Sequence, residues 1–184
     1  MPGVMTSTPR FFLPLAFKAA ATHTITYMLM GVLASTLLDY KAVFARPDMA
    51  CWMRPLDDPM IMFGPLMQPL RGLVFALVLY PFREILFARD RGWLVLWALL
   101  VGLGIVNTYG PTPGSLEGML YTVIPVPDQL KGYLEVVPQA GLFSFLLVRW
   151  VRHPEKRWLA RTLTVLFAIA IALPLLGLLA GGRG

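Results

Sequence analysis

The chain has 184 residues, of which 57% are hydrophobic and 14% charged, and a formal net charge of +6. Soluble domains carry about 25% charged residues, so this composition excludes an ordinary water-soluble domain and implies one integral membrane unit. The cations flank apolar runs instead of forming a basic stripe interleaved with aromatics, which sets nucleic acid aside and points to membrane orientation and to anionic lipid at the inner face.

A spanning helix needs about 20 mostly apolar residues. In chain order the pattern predicts spans over about 16–38, 60–82, 92–109, 133–150 and 162–182. The expected fold class is therefore all-α: a single transmembrane helix bundle over 1–184, with about five spans and a structured external loop. The first run is read as an uncleaved span. Lys18 and His23 interrupt its apolar core, and no small-residue cleavage site follows before Asp39. No period-two segments of barrel type compete with these helices.

Between the first two spans lies "DYKAVFARPDMACWMRPLDDP", with Lys41, Arg46 and Arg54. The second run, "GPLMQPLRGLVFALVLYPFRE", holds Pro65 and Pro69 in its upstream half, so 60–69 is expected to be bent or half-inserted. The next loop carries Arg83, Arg89 and Arg91, and the loop after the fourth span carries Arg149, Arg152, Lys156, Arg157 and Arg161. The segment 110–132 has only Lys131. The excess of Lys and Arg places the first two of these loops in the cytoplasm and the third outside, in a multi-pass cell-membrane protein with a cytoplasmic N-terminus and an external C-terminus. The loop with Lys41, Arg46 and Arg54 is then external against the rule. Within 110–132, prolines and glycines bracket a short helix with Ser115 as its N-cap.

Arg71 is the anomalous residue. It lies 12 residues before Arg83, or about 18 Å along a helix, against a hydrocarbon core of about 30 Å. A cation at that depth needs a partner. Glu135 stands 14 residues before Arg149, about 21 Å up the fourth span. Asn107 lies at a similar height, and Gln139 is one turn below Glu135 on the same face. Arg71, Glu135, Gln68, Asn107 and Gln139 are thus expected to converge in the outer half, with Arg71 paired to Glu135 and Glu117 as a second counter-ion. His23, among Thr22, Thr24 and Thr26, is expected to hydrogen-bond between helices, with a proton relay as the alternative.

These residues form the candidate ligand-binding set. No catalytic residue, metal ligand or cofactor is assigned. The chain lacks the zinc-protease, nucleophile-elbow, phosphate-loop and dinucleotide motifs. His153 falls at a different depth from His23, which disfavours a shared haem or zinc site. Met49, Cys51 and Met53 offer ligands of the kind that suit Cu(I), yet methionine also fills gaps.

The stretches "HTITYMLMG", "GPLMQPLRGLVFALVLYPFRE", "GWLVLW" and "PGSLEGMLYT" together resemble a family of small bacterial polytopic membrane proteins of no known activity, over about residues 17–148. The resemblance implies no substrate and no site residue. The expected function is a non-enzymatic accessory or scaffold component of a membrane complex, with a membrane protein partner or a second copy of the chain. The alternative is a small transporter, channel or ligand-binding protein built on the Arg71–Glu135 region.

Overall fold

Helix α1 (Pro9–Leu37) is the axis of the molecule. Helices α4 (Phe63–Leu79), α9 (Tyr133–Arg152) and α10 (Arg157–Gly181) all pack on it, α10 also touches α4, and α6 (Gly92–Val106) packs on α9. The computed structural model describes residues 9–51, 53–106 and 110–181, and every regular element among them is helical.

The face of α1 explains its central place. Ala16, Ala19, Ala20 and Ala21 are buried and small, so neighbouring backbones come close. Gly72 of α4 seats against Ala20: a Cβ built there would stand 2.4 Å from the Ala20 Cα. The hydroxyls of Thr22, Thr24 and Thr26 donate to the carbonyls of Lys18, Ala20 and Thr22 at 2.7, 2.8 and 2.9 Å. These bonds lie within α1, not between helices as expected. Satisfying the hydroxyls locally lets a polar stretch be fully buried without a partner on another element.

Residues 60–69 are helical throughout, a 3-10 turn that continues into α4. Asp58 caps a 3-10 turn at Pro59–Met62 by accepting from the Met60 amide at 2.8 Å, and the turn runs directly into α4. Pro65 falls in the first turn of α4, where a missing N–H costs little. Pro69 is inside the helix. After a second 3-10 turn, Tyr80–Phe82, the chain forms α5 (Arg83–Phe87). Leu86 and Phe87 of α5, Leu96 of α6, and Phe143 and Leu147 of α9 join Leu15 and Ala76 in the main core.

The two ends of the bundle differ. One end gathers Arg83, Arg89, Arg91, Arg149 and Arg152, with Arg152 ion-paired to Asp90. Lys18 reaches this end as well and donates to the Trp150 carbonyl at 3.1 Å. The other end is a folded cap made of α2 (Tyr40–Phe44), α3 (Pro47–Ala50), α7 (Leu116–Tyr121) and α8 (Val126–Lys131). Arg46 bridges its two loops by pairing with Asp48 and Asp128, each at 2.6 Å. Arg54 pairs with Asp58 at 2.8 Å. Two of the three cations that fit the orientation rule poorly, Arg46 and Arg54, are therefore held by carboxylates. Gln129 is the cap's buried hub. It accepts from the Gly114 amide at 3.0 Å and donates to the Ile124 carbonyl at 2.7 Å. Ser115 caps α7 through the Gly118 amide at 2.9 Å.

Three helical runs, Pro59–Phe87, Val126–Arg152 and Arg157–Ala180, are long and apolar enough to cross a membrane. The sequence pattern predicts about five spans. The difference lies in α6, which has 15 described residues, and in α1, whose apolar content is diluted by Lys18, His23 and the threonines.

Candidate functional site

The packing order α4, α1, α9, α6 leaves a cleft. Helices α4 and α6 share no packed interface, so they stand as two walls over a floor made by α1 and α9. The cleft has a volume of about 350 Å³. Each helix lines it with residues four apart, which is the spacing that stacks side chains on one helical face. Arg71 and Phe75 come from α4, His23 and Tyr27 from α1, Leu100 and Gly104 from α6, and Glu135, Gln139 and Phe143 from α9. On the basic side, the buried Leu86 and Phe87 of α5 and Leu96 of α6 continue the packing past it.

Of the expected cluster, the cleft brings Arg71, Glu135 and Gln139 together; it adds His23, whose depth the sequence leaves open, and Gln68 is not among its lining residues. It does not close the expected ion pair. Arg71 is exposed and has neither an ion pair nor a hydrogen bond among the described residues. Glu135 is instead held from the cap, where it accepts a hydrogen bond from the Tyr40 hydroxyl. Burial, and then this carboxylate, push the Tyr40 phenol well above its usual range, so Tyr40 acts as a fixed donor. Tyr40 opens α2 of the cap, 95 residues from Glu135, and nothing in the local sequence links the two. Phe75 and Phe143 were legible in principle, since they follow Arg71 and Gln139 by one turn.

Gln68 is buried just beneath the cleft. Its amide nitrogen donates to the Gly64 carbonyl at 2.8 Å, so its oxygen is the acceptor for His23 Nε2–H at 3.0 Å. That fixes the hydrogen on Nε2 of His23. The ring also packs edge-on against Phe75 and Phe143, with centroids 4.9 and 5.4 Å away. His23 is thereby locked by three neighbours as part of the floor, an arrangement that serves rigidity better than proton transfer.

Glu117 is not the counter-ion of Arg71. It sits in the first turn of α7, outside the cleft lining, and makes no ion pair among the described residues. Asn107 lies outside the described residues. Two serines have structural partners: Ser115 caps α7 and Ser35 donates to the Val32 carbonyl at 2.9 Å.

Chemically, the cleft offers a free guanidinium, an oriented carboxylate, an amide at Gln139 and an aromatic floor. Such a set binds and orients. It contains no nucleophile with an adjacent base. No family model, curated protein or solved structure matches the chain.

Proposed function

We propose that the chain is a multi-pass membrane protein that holds an anion-bearing ligand in the cleft lined by Arg71 and Glu135. The supporting observation is that both charged groups line one cleft while Arg71 has neither an ion pair nor a hydrogen bond among the described residues. A guanidinium at membrane depth is expensive unless something neutralises it. A ligand anion supplies that neutralisation, and bidentate geometry favours a carboxylate or phosphate.

In this reading the helical runs make five crossings: α1, the run 59–87, α6, α9 and α10. Arg83 to Arg91 and Arg149 to Arg161 then face the cytoplasm, and the cap faces outward. Reporter fusions after residues 90, 122 and 155 test the arrangement: the first and third report cytoplasm, the second the exterior.

The ligand test is direct. Full-length protein is purified in mild detergent, denatured, and its released small molecules are identified by mass spectrometry. Wild type releases one anionic or zwitterionic species in near-stoichiometric amount, and Arg71→Ala releases much less at equal helicity. Equal recovery from both proteins, or no species from either, counts against the proposal.

The accessory-subunit reading retains one supporting feature. Gly102 and Gly104 of α6 face open space, with no heavy atom within 4 Å of an added Cβ, and small residues favour close helix association in membranes. A stable protein partner that leaves the complex on Gly102→Leu substitution would favour it.

A further inference from the structure

The cleft has a side door. Its two walls, α4 and α6, share no packed interface, and the exposed faces of both helices are apolar. On α4, Leu70, Leu73, Val74 and Leu77 are exposed, and on α6 Leu99 and Leu103 are exposed. Gly104, at the lip of the α6 wall, leaves space that any larger side chain would fill. A ligand that enters through this gap comes from the bilayer and leaves its apolar part there.

The polar groups lie at the height of a lipid headgroup. Helix α9 has 20 residues, about 30 Å of rise, and Glu135 is in its first turn at the cap end. Arg71 is set deeper, by the 12 residues that separate it from Arg83. A guanidinium below a carboxylate, across an aromatic floor, is complementary to a headgroup that carries phosphate on the glycerol side and a cation at its tip.

Which cation fits is decided by the floor. A quaternary ammonium is recognised by an open cage of ring faces. Here the rings of His23, Phe75 and Phe143 pack against one another, with the Phe75 and Phe143 centroids 5.4 Å apart. The cleft's other polar groups open to a cation are Glu135, the Gln139 amide oxygen and the Tyr27 hydroxyl, all of which take N–H donors.

Resting on the cleft reading above, we infer that the ligand is a phospholipid with a primary ammonium headgroup, of phosphatidylethanolamine type, taken sideways from the outer leaflet between α4 and α6. Its phosphodiester lies against Arg71 and its ammonium against Glu135. Its acyl chains stay on the exposed Leu and Val faces of the two walls. Tyr40 holds the carboxylate in position from the cap, so that it meets the ammonium and not Arg71.

The test is native mass spectrometry of delipidated full-length protein. It is titrated with phosphatidylethanolamine, phosphatidylcholine and phosphatidylglycerol of identical acyl chains, and with water-soluble glycerophosphoethanolamine. The expected result is a single tight phosphatidylethanolamine adduct, about tenfold preferred over the other two lipids. Glu135→Gln, which keeps an acceptor for Tyr40, removes that preference while phosphatidylglycerol still binds. Arg71→Gln weakens all three lipids. Gly104→Leu, which meets no neighbouring atom within 4 Å as an added Cβ, blocks lipid uptake at unchanged helicity. No lipid preference, or a preference untouched by Glu135→Gln, overturns the inference. Glycerophosphoethanolamine binding as tightly as the lipid would overturn lateral entry and leave the cleft reading standing. No Arg71-dependent binding of any of the four probes by folded protein would defeat both.

Discussion

Gly72 and Ala20 mark a close approach of α4 to α1: a Cβ added to Gly72 would come within 2.4 Å of the Ala20 Cα, 2.8 Å of the Ala20 nitrogen and 2.9 Å of the Ala19 carbonyl oxygen. All three obstacles are backbone, so no side chain can swing away. Gly72→Leu therefore forces the helices apart at the point where His23, Gln68 and Arg71 are positioned. The expected cost is about 1–3 kcal/mol or more, as for other overpacked cores, read as an earlier unfolding midpoint in detergent titration. Gly102→Leu, in open space, is the matched control and leaves the midpoint within about 0.5 kcal/mol.

The His23–Gln68 hydrogen bond is buried at both ends. Gln68→Leu leaves the His23 N–H without an acceptor, and His23→Phe leaves the Gln68 oxygen without a donor. Each single change is expected to cost about 1–3 kcal/mol. The double replacement removes both unsatisfied groups and costs less than the sum of the singles, with a coupling of about 0.5–3 kcal/mol in a double-mutant cycle.

Gln129 governs the cap. Its amide nitrogen donates to the carbonyls of Gly118 and Ile124 at 3.3 and 2.7 Å, and to the Thr122 hydroxyl at 3.2 Å. Gln129→Leu removes these partners while keeping bulk. The segment 110–132 then opens, and limited proteolysis cuts it well before the bundle. Wild type resists under the same conditions.

Asp58 makes the start of the α4 run sensitive to acid. Its carboxyl is held below the usual range by the Met60 amide first and by Arg54 second. A depressed carboxyl stabilises the folded form above its unfolded pKa, about 3.9, and the contribution is lost as pH falls through the lower folded value. Hydrogen exchange at Met60 and Ile61, corrected for its intrinsic pH dependence, should lose protection as pH drops from about 6 to about 3. Asp58→Asn flattens that dependence.

The long helices were legible because apolar runs and basic flanks act locally. The stretch expected from 162 on is helical as part of α10 as far as Gly181, and the Ser115 cap follows from residue type and spacing alone. Helical spacing also placed Arg71, Glu135 and Gln139 at similar heights, and all three line one cleft. What was not legible depends on contacts distant in sequence. Glu135 is bonded to Tyr40 of α2 in the cap, and Gln129, set among prolines and glycines, reads as a solvated residue although it is buried. Local hydrogen bonding likewise overrode the interhelical role expected of the threonines. The proline-rich start of the second run reads as broken, yet Pro59 and Pro65 fall in first turns where proline is tolerated.

The central claim is that Arg71 faces an occupied cleft rather than a carboxylate of its own chain. A high-resolution density map of the protein in a lipid nanodisc tests it at one atom group. The account predicts non-protein density at about 3 Å from the Arg71 guanidinium, continuous with a tail between α4 and α6. A direct Arg71–Glu135 ion pair across a cleft closed by side chains would contradict it.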